Sequence, residues 1–257
     1  MIDQANEEGC DIYVDVYPYV ASATSMTSRF LPAMFHPPMT ESVVELLKNE
    51  EVCSKAKEWC RSKWGNDLGW VLMTVCGGHP EYMGLTVNQI ADMKGQIDRF
   101  DTVFDIMREG NGLTNICTFM MCEEDVEYVM RHPRAMMCTD SAVKTGDNYV
   151  HPRMIGSFPR ILGRYVRERR VTTLTEMIRK MTSLPARVYG LDTKGVIAEG
   201  YDADICIFNG DTIIDNADFV NYSLENTGIE YVLIDGKIVL EKGKYNGIRA
   251  AEVYTRK

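Results

Sequence analysis

The spacing of apolar residues changes along the chain and divides it into two regions. Apolar residues three or four positions apart predict helices in the first region. Runs rich in β-branched or aromatic residues predict short strands between these helices. The predicted helices cover residues 40–50, 51–63, 87–93, 100–109, 123–131, 158–169 and 174–181, and the predicted strands cover 11–17, 70–75, 115–121 and 135–138. After residue 195 only strand patterns follow, so we expect an α/β layer and then a small β unit.

Three local patterns refine this picture. Residues 21–28 are small and polar, and we expect a loop there. The order of strand 115–121, helix 123–131 and strand 135–138 predicts a βαβ unit with parallel strands. The Asp235-Gly236 pair between two apolar runs predicts a tight β-hairpin turn.

The most informative strand is the apolar run Ala135–Cys138, which leads to Asp140. A continuous apolar run is typical of a strand that is covered on both faces. An aspartate just beyond such a strand stands where α/β barrels place their catalytic groups. It also suits a residue that caps the following turn. The strand alone leaves both interpretations open.

Composition narrows the class of protein. The net charge of −9 argues against nucleic acid as a partner, because binding to phosphates requires clustered lysine and arginine. No apolar run is long enough to predict a membrane span. The N-terminus is acidic and does not resemble a signal peptide, and the eight cysteines are scattered without a C-x-x-C pair. We therefore expect a cytoplasmic protein with reduced thiols.

Four segments together resemble one branch of a known superfamily. They are 15–19 (Asp-Val-Tyr-Pro-Tyr), 120–133, 151–165 (which contains His-Pro-Arg and Phe-Pro-Arg) and 181–204. The chain resembles the C-terminal half of the N-acyl-D-amino-acid deacylase (D-aminoacylase) branch of the amidohydrolase superfamily. The last segment is typical of amidohydrolases in general, whereas the His-Pro-Arg and Phe-Pro-Arg run is specific to the branch.

The resemblance implies a metal-dependent-hydrolase fold, in which a (β/α)₈ TIM barrel lies beside a β-sandwich made from both chain termini. It implies that residues 12–16, 115–119 and 135–138 are barrel strands six, seven and eight, and that residues 21–111 are an inserted active-site lid. Residues 1–194 would then be a partial barrel domain and residues 195–257 part of the sandwich. Three strands cannot close a barrel, which needs about eight. We therefore expect the C-terminal fragment of a longer enzyme or one half of a split one.

The resemblance also implies the chemistry. A zinc-activated water would hydrolyse a linear, non-peptide amide, most simply that of an N-acyl-D-amino acid. Asp140 matches the strand-eight aspartate that acts as general acid and base, and Asp15 matches the metal ligand of strand six. The family's other ligands, including its His-x-His pair, are absent, since each of the four histidines stands alone before a proline. We therefore expect zinc in the complete enzyme, but not a complete zinc site in this chain.

Two residues are candidate substrate contacts. Met121 matches the acyl-pocket position of the family, although a methionine at this spacing is also typical of a core. His151 follows the strand-eight aspartate and is a candidate for the site, but it also suits a loop histidine that hydrogen-bonds backbone. The family's substrate-carboxylate arginine falls near Trp70, and the nearest arginines are Arg61 and Arg99.

Three functional hypotheses follow. The first is a deacylase acting on a small N-acyl amino acid or a related amide. The second is a non-catalytic remnant, or an assembly partner for the missing N-terminal half or for a second copy of the chain. The third is a binding module built on the C-terminal β unit, where we find no aromatic platform or basic patch to support it.

Overall fold

The computed structural model describes residues 1–35, 43–141 and 151–253, which divide into two compact units. The first unit contains residues 1–19, 122–141 and 152–253. The second contains residues 20–35, 43–121 and His151. The predicted lid at 21–111 therefore falls within the second unit. The predicted domain boundary after residue 194 lies inside the first unit and stays a prediction.

Helices and short strands alternate over most of the chain, and strands dominate its end. The α-helices are α1 (Ile2–Glu7), α2 (Met26–Phe30), α3 (Val43–Leu46), α4 (Glu50–Trp64), α5 (Val87–Lys94), α6 (Arg99–Glu109), α7 (Glu123–Arg131), α8 (Arg153–Arg160), α9 (Leu174–Met181) and α10 (Ser183–Tyr189). The strands are β1 (Val14–Val16), β2 (Ala21–Ser25), β3 (Val71–Cys76), β4 (Thr114–Phe119), β5 (Ala135–Met137), β6 (Ile205–Phe208), β7 (Ile229–Ile234), β8 (Lys237–Glu241) and β9 (Lys244–Tyr245). No helix of the described residues is long and apolar enough to span a membrane.

Strands β1 and β5 form a parallel pair in the first unit. Asp15 lies opposite Met136 in this pair, and all three residues of β5 are buried. Helix α7 contacts both strands. The buried strand predicted at 135–138 is therefore present, and its neighbour in the sheet is a strand that lies far away in the sequence.

The predicted βαβ unit over residues 115–138 is wrong. Strand β4 lies between β2 and β3, antiparallel to both, in a sheet of the second unit. Strand β5 instead pairs directly with β1. Because β1 and β5 are immediate neighbours, their assignment as barrel strands six and eight with residues 115–119 between them is also wrong. Sequence order suggested the pairing, but partner choice in a sheet is a tertiary property.

The loop predicted at 21–28 is also wrong. Residues 21–25 form β2, which pairs with β4 along its whole length. The hydroxyl of Ser25 then accepts a hydrogen bond from the backbone N–H of Ser28 and caps α2. Small side chains gave this strand no alternating apolar pattern, whereas its apolar partner β4 supplies the packing.

Helices α4, α5 and α6 of the second unit agree with their predicted positions, because each has a clear N-cap. Helix α2 was not predicted, and α3 ends at Leu46, before the predicted end at residue 50. The side chains of Asn49, Thr86 and Asp98 accept backbone hydrogen bonds at the starts of α4, α5 and α6. These helices share one apolar core with the sheet, which includes Phe30, Met73, Ile90, Phe100, Phe104 and Ile116. The predicted cap at Thr40 lies outside the described residues.

Helix α8 continues into a π-helix over Ile161–Glu168 and begins earlier than predicted. Pro159 has no N–H, so the carbonyl of Ile155 lacks its usual helical donor. The side-chain amide of Asn226 donates to that carbonyl at 2.9 Å. A Cβ atom at Gly163 would overlap the carbonyl oxygen of Ile213. This helical segment therefore contacts Asn226 at Ile155 and the backbone of Ile213 at Gly163.

We expect Gly163→Ala to lower the free energy of unfolding by about 1–3 kcal/mol, because the added methyl must displace packed backbone. Urea denaturation of the full chain measures this change. Gly210→Ala is the control, since nothing lies within 4 Å of a Cβ at that position. We expect it to change stability by less than about 0.5 kcal/mol. Equal losses in the two variants would contradict the close approach at Gly163.

The end of the chain forms an antiparallel sheet in the order β6-β7-β8-β9. Asp235 and Gly236 connect β7 to β8 and have φ values of +49° and +70°. Both residues of a type I′ turn need positive φ, so the predicted hairpin is confirmed.

Candidate active site

Asp140 lies beyond the carboxyl end of β5. The N–H of Cys138 donates to the carbonyl of Val16 at 3.1 Å and extends the parallel pairing by one residue. The chain then turns, and Asp140 has a φ of +44°, in the left-handed region that aspartate tolerates better than most residues. Its side chain is 62% exposed. The carboxylate is therefore presented to solvent at the end of a buried strand.

Arg153 holds this carboxylate. Its Nη1 lies 2.9 Å from Oδ2 of Asp140, and the arginine side chain is only 9% exposed. The guanidinium carbon lies 4.6 Å from the ring centroid of Tyr17. An exposed carboxylate is thus oriented by a buried arginine, which itself lies over an aromatic ring.

Tyr17 and Cys138 follow the ends of the two parallel strands and lie beside this ion pair. Burial raises the pKa of Tyr17, and the negative charge of Asp140 adds to the rise, while Arg153 opposes it. Burial also raises the pKa of Cys138 to about 11, and the charge of Asp15 adds to that rise. The Cys138 thiol is therefore protonated at neutral pH. Asp15 and Asp140 both act electrostatically on this thiol, so the structure places them in one neighbourhood.

A second, buried cluster supports the same region of the first unit. Asp215 is 3% exposed and accepts hydrogen bonds at 3.2 Å from Nη1 of Arg160 and from the hydroxyl of Tyr19. Nε of Arg160 donates to the carbonyl of Pro18 at 2.8 Å. Burial raises the pKa of Asp215, and the positive charge of Arg160 opposes that rise. The cluster fixes the backbone that follows β1, next to Tyr17.

Met121 and His151 lie in the second unit, whereas Asp15 and Asp140 lie in the first. Met121 is 39% exposed, and its N–H donates to the carbonyl of Val20. Nε2 of His151 lies 3.0 Å from the carbonyl oxygen of Ala21, and the imidazole is buried. This contact agrees with the interpretation of His151 as a loop histidine that hydrogen-bonds backbone. The substrate-binding roles of both residues stay predictions.

The two candidate carboxylate-binding arginines already have acidic partners. Arg61 pairs with Asp98, and Arg99 pairs with Asp92 at 2.7 Å. Two histidines have acidic partners too: His79 lies 2.8 Å from Glu81 and His132 lies 2.9 Å from Asp3. His36 lies outside the described residues.

Comparison with known proteins assigns the chain to a family. The family model described as "Amidohydrolase family" matches residues 87–240, which is more than half of the chain. This chain belongs to the amidohydrolase family. The resemblance inferred from the four sequence segments is thereby confirmed, and with it the α/β metal-dependent-hydrolase class of fold.

The relatives narrow this assignment to one branch of amidohydrolases. N-acyl-D-glutamate deacylase of Alcaligenes xylosoxydans xylosoxydans is 32% identical over 235 residues, covering 91% of this chain and 40% of that protein. D-aminoacylase of the same organism is 28% identical over 246 residues, covering 96% of this chain and 42% of that protein. The chain therefore spans about two fifths of the length of these relatives, of which it matches the C-terminal portion.

Solved structures of the same branch have a similar fold. N-acyl-D-glutamate deacylase from Bordetella bronchiseptica, in complex with zinc and a phosphonate mimic of the tetrahedral intermediate, aligns with a TM-score of 0.69 at 30% identity. It covers 93% of this chain and 41% of that one. A D-aminoacylase aligns with a TM-score of 0.72 at 28% identity, covering 97% and 44%. A further D-aminoacylase structure is described with a binuclear metal centre.

The described residues of this amidohydrolase chain do not fit a complete metal site. Within residues 1–35, 43–141 and 151–253, no group of three or more histidine, cysteine, aspartate or glutamate side chains could hold a metal ion. Asp15 and Asp140 each provide one carboxylate near Cys138.

Sequence reasoning did not single out Arg153, Tyr17, Arg160 or Asp215. Three of them stood in quoted motifs, since Tyr17 belongs to Asp-Val-Tyr-Pro-Tyr and the two arginines follow the prolines of His-Pro-Arg and Phe-Pro-Arg. The motifs therefore included these three residues but did not indicate what they contact. Asp215 stands 55 positions from Arg160 and carried no sequence signal.

Proposed function

We propose that this chain is the C-terminal portion of an enzyme that removes the acyl group from N-acyl-D-amino acids. The observation that carries the proposal is the exposed carboxylate of Asp140 at the end of a buried parallel strand, held by a buried arginine. Similarity to deacylases of N-acyl-D-glutamate and N-acyl-D-aspartate supports the substrate class. Because the chain spans two fifths of its relatives, the activity belongs to the complete enzyme.

Asp140 is suited to move the protons of amide hydrolysis. A water molecule adds to the acyl carbon, and the carbon–nitrogen bond then breaks. The carboxylate accepts the proton that the water loses and passes it to the leaving amine, so one group acts first as a base and then as an acid. Its exposure allows contact with water and substrate, and the ion pair with Arg153 orients the carboxylate.

Zinc belongs to the proposal only for the complete enzyme. The described residues lack three grouped ligands, and the N-acyl-D-glutamate deacylase relative contains zinc. We assign Asp15 to such a site as one carboxylate ligand, on its position in β1 and its electrostatic effect on Cys138. The remaining ligands would come from outside this chain.

The finer architecture is part of the same proposal. We assign β1 and β5 to a parallel barrel and the sheet β6-β7-β8-β9 to part of a β-sandwich that the other end of the complete enzyme completes. The parallel pairing of β1 with β5 supports the first assignment, and the antiparallel order of the last four strands supports the second. The scattered free cysteines favour a cytoplasmic location.

A stereochemical assay tests the proposed function. The complete enzyme, with added zinc, is incubated with N-acetyl-D-glutamate, N-acetyl-D-leucine and their L-enantiomers, and the released amine is measured. We expect release from a D-substrate and none from its enantiomer. Hydrolysis of the L-forms alone would contradict the substrate class. A complete enzyme that binds zinc but releases no amine would favour the non-catalytic alternative.

The two candidate substrate contacts are tested in the same assay. Met121→Ala is expected to raise KM more than it lowers kcat, because an apolar pocket wall contributes to binding rather than to proton transfer. For His151, the backbone contact to Ala21 predicts a loss of stability on substitution instead.

A further inference from the structure

Helix α8 carries two arginines, Arg153 and Arg160, that lie over two nearby tyrosine rings. They are the first and last residues of the helix and stand close to two turns apart, so both side chains leave the same face. The guanidinium carbon of Arg153 lies 4.6 Å from the ring centroid of Tyr17. The guanidinium carbon of Arg160 lies 4.7 Å from the ring centroid of Tyr19. The helix therefore contacts the segment after β1 at two points.

Each arginine also pairs with one aspartate, and the two aspartates differ in exposure. Arg153 pairs with Asp140 at 2.9 Å, and the side chain of Asp140 is 62% exposed. Arg160 pairs with Asp215 at 3.2 Å, and the side chain of Asp215 is 3% exposed. One set of arginine, tyrosine and aspartate is therefore presented to solvent at the candidate active site, whereas the carboxylate of the other set is buried.

Asp215 joins the buried set from the connection between β6 and β7, residues 209–228. Its carboxylate accepts from the hydroxyl of Tyr19 as well as from Arg160. The contact with the helix is close, since a Cβ atom at Gly156 would lie 2.5 Å from the hydroxyl oxygen of Tyr19 and 3.0 Å from the Cβ atom of Asp215. The helix, the tyrosine and the aspartate are therefore packed against one another with no room for an additional methyl group.

The buried set also holds the backbone between the two tyrosines. Nε of Arg160 donates to the carbonyl of Pro18 at 2.8 Å, and the hydroxyl of Tyr165 donates to the same carbonyl at 3.3 Å. The ring of Pro18 fixes its own φ, so this backbone has little freedom to move. Tyr17 precedes Pro18 and carries the ring on which Arg153 lies. A displacement of the buried set would therefore move Arg153 and the carboxylate that it orients.

We propose that Asp215 and Arg160 are positioning residues, which place the carboxylate of Asp140 for proton transfer. They act through helix α8 and through the backbone of residues 17–19, both of which contact the exposed set directly. The inference rests on the proposed function, because it concerns the reaction assigned to Asp140. A misplacement of about 1 Å at a reacting group can lower a rate about 100-fold. The connection 209–228 thus takes part in the reaction through its contact with the helix.

Asp215→Asn in the complete enzyme tests the proposal, with added zinc and N-acetyl-D-glutamate as substrate. The amide keeps the size of the side chain and an acceptor for Tyr19, but it leaves Arg160 without its counter-charge. We expect kcat to fall by about 10- to 100-fold and KM to change far less, because a misplaced proton-transfer group slows the step after binding. A folded Asp215→Asn enzyme with the kcat of the parent would overturn the positioning role.

The matched control is Val239→Ala. Val239 is a buried residue of β8, and its truncation lowers stability without touching either set. We expect this variant to keep the kcat of the parent at a temperature at which urea denaturation shows both variants to be folded. Equal losses of kcat in Val239→Ala and Asp215→Asn would overturn the proposal in favour of a general effect of stability.

The double variant Arg160→Met/Asp215→Asn separates positioning from stability. It removes both charges of the buried pair, so neither charge is left without a partner. The bond to Pro18 and the guanidinium over the ring of Tyr19 are still missing. We therefore expect it to be more stable than Arg160→Met, with kcat still about 10- to 100-fold below that of the parent. A kcat that recovers together with stability would overturn the positioning role.

Hydrogen exchange measured by mass spectrometry on the full chain tests the same contacts without catalysis or zinc. In Asp215→Asn and in the double variant we expect about 10-fold faster exchange in peptides that contain residues 14–19, because fewer contacts hold that backbone. Val239→Ala should leave these peptides unchanged. Unchanged exchange in all three variants would overturn the proposal. If the parent enzyme releases no amine and exchange is still faster in the two cluster variants, the proposed function fails, and with it the link from this cluster to proton transfer.

Discussion

Replacing Asp140 with asparagine is expected to lower kcat of the complete enzyme by about 10²- to 10⁴-fold, because the amide cannot carry the proton from water to the leaving amine. Asparagine has the size of aspartate and keeps a side-chain oxygen that can accept from Arg153. The substitution therefore removes the proton transfer with little change in shape. Initial rates with saturating N-acetyl-D-glutamate and added zinc measure the effect.

The control for this substitution is Asp192→Asn. Asp192 is an exposed aspartate of the same unit that lies in the segment after α10, and we expect the variant to have an unchanged kcat. Circular dichroism and urea denaturation show whether each variant is folded. A folded Asp140→Asn enzyme with a kcat close to that of the parent would exclude Asp140 from the proton transfer.

The positions of several helices could be predicted from the sequence, because N-cap residues and the spacing of apolar residues determine them locally. Asn49, Thr86 and Asp98 cap helices whose apolar positions follow a period of 3.6 residues, and α4, α5 and α6 lie within two residues of their predicted ends. The early start of α8 was not readable. Its first residues include Arg153, whose side chain is ordered by Asp140 and Tyr17 rather than by local sequence.

The pairing of the strands could not be predicted from the sequence, because it depends on contacts between residues that are distant in the chain. The β1–β5 pair joins residues 121 positions apart in the chain, since Val14 lies opposite Ala135 and Asp15 opposite Met136. Strand β2 had no apolar alternation and gains its packing from β4. Sequence order favoured the nearer partner for β5 and was misleading.

The candidate site divides in the same way. Asp140 was found because it follows a buried strand within a motif of the family. Arg153 stands 13 positions later, and no spacing rule connects an arginine at the start of a helix with an aspartate after a strand. Arg153, which acts by orienting Asp140, could therefore be identified only from the structure. Asp140 itself could be identified from its sequence motif.

The largest expected effect on stability comes from Arg160→Met. At neutral pH we expect the free energy of unfolding to fall by about 3–5 kcal/mol, because the substitution leaves the carboxylate of Asp215 buried without its counter-charge. The carbonyl of Pro18 also loses its donor. Urea denaturation of the full chain measures the change. Arg249→Met removes an arginine from an exposed position, and we expect it to alter stability by less than about 0.5 kcal/mol.

The loss should depend on pH with a defined sign. Burial already raises the pKa of Asp215 in the folded chain, and removal of Arg160 takes away the charge that opposes this rise. A carboxyl with a raised pKa binds its proton more tightly in the folded state than in the unfolded state, so its contribution to stability falls as the pH rises through the folded pKa. The penalty of Arg160→Met should therefore shrink between neutral pH and about pH 4.5.

The double variant Arg160→Met/Asp215→Asn separates charge from packing. A neutral amide can still accept from the hydroxyl of Tyr19 and has almost the same volume, so we expect the double variant to be more stable than Arg160→Met alone at neutral pH. It should also lose most of the dependence on pH, because the titrating group is gone. A penalty that stays constant from about pH 4.5 to neutral pH, and that the second substitution does not relieve, would show that Arg160 acts through packing and its bond to Pro18 rather than through Asp215.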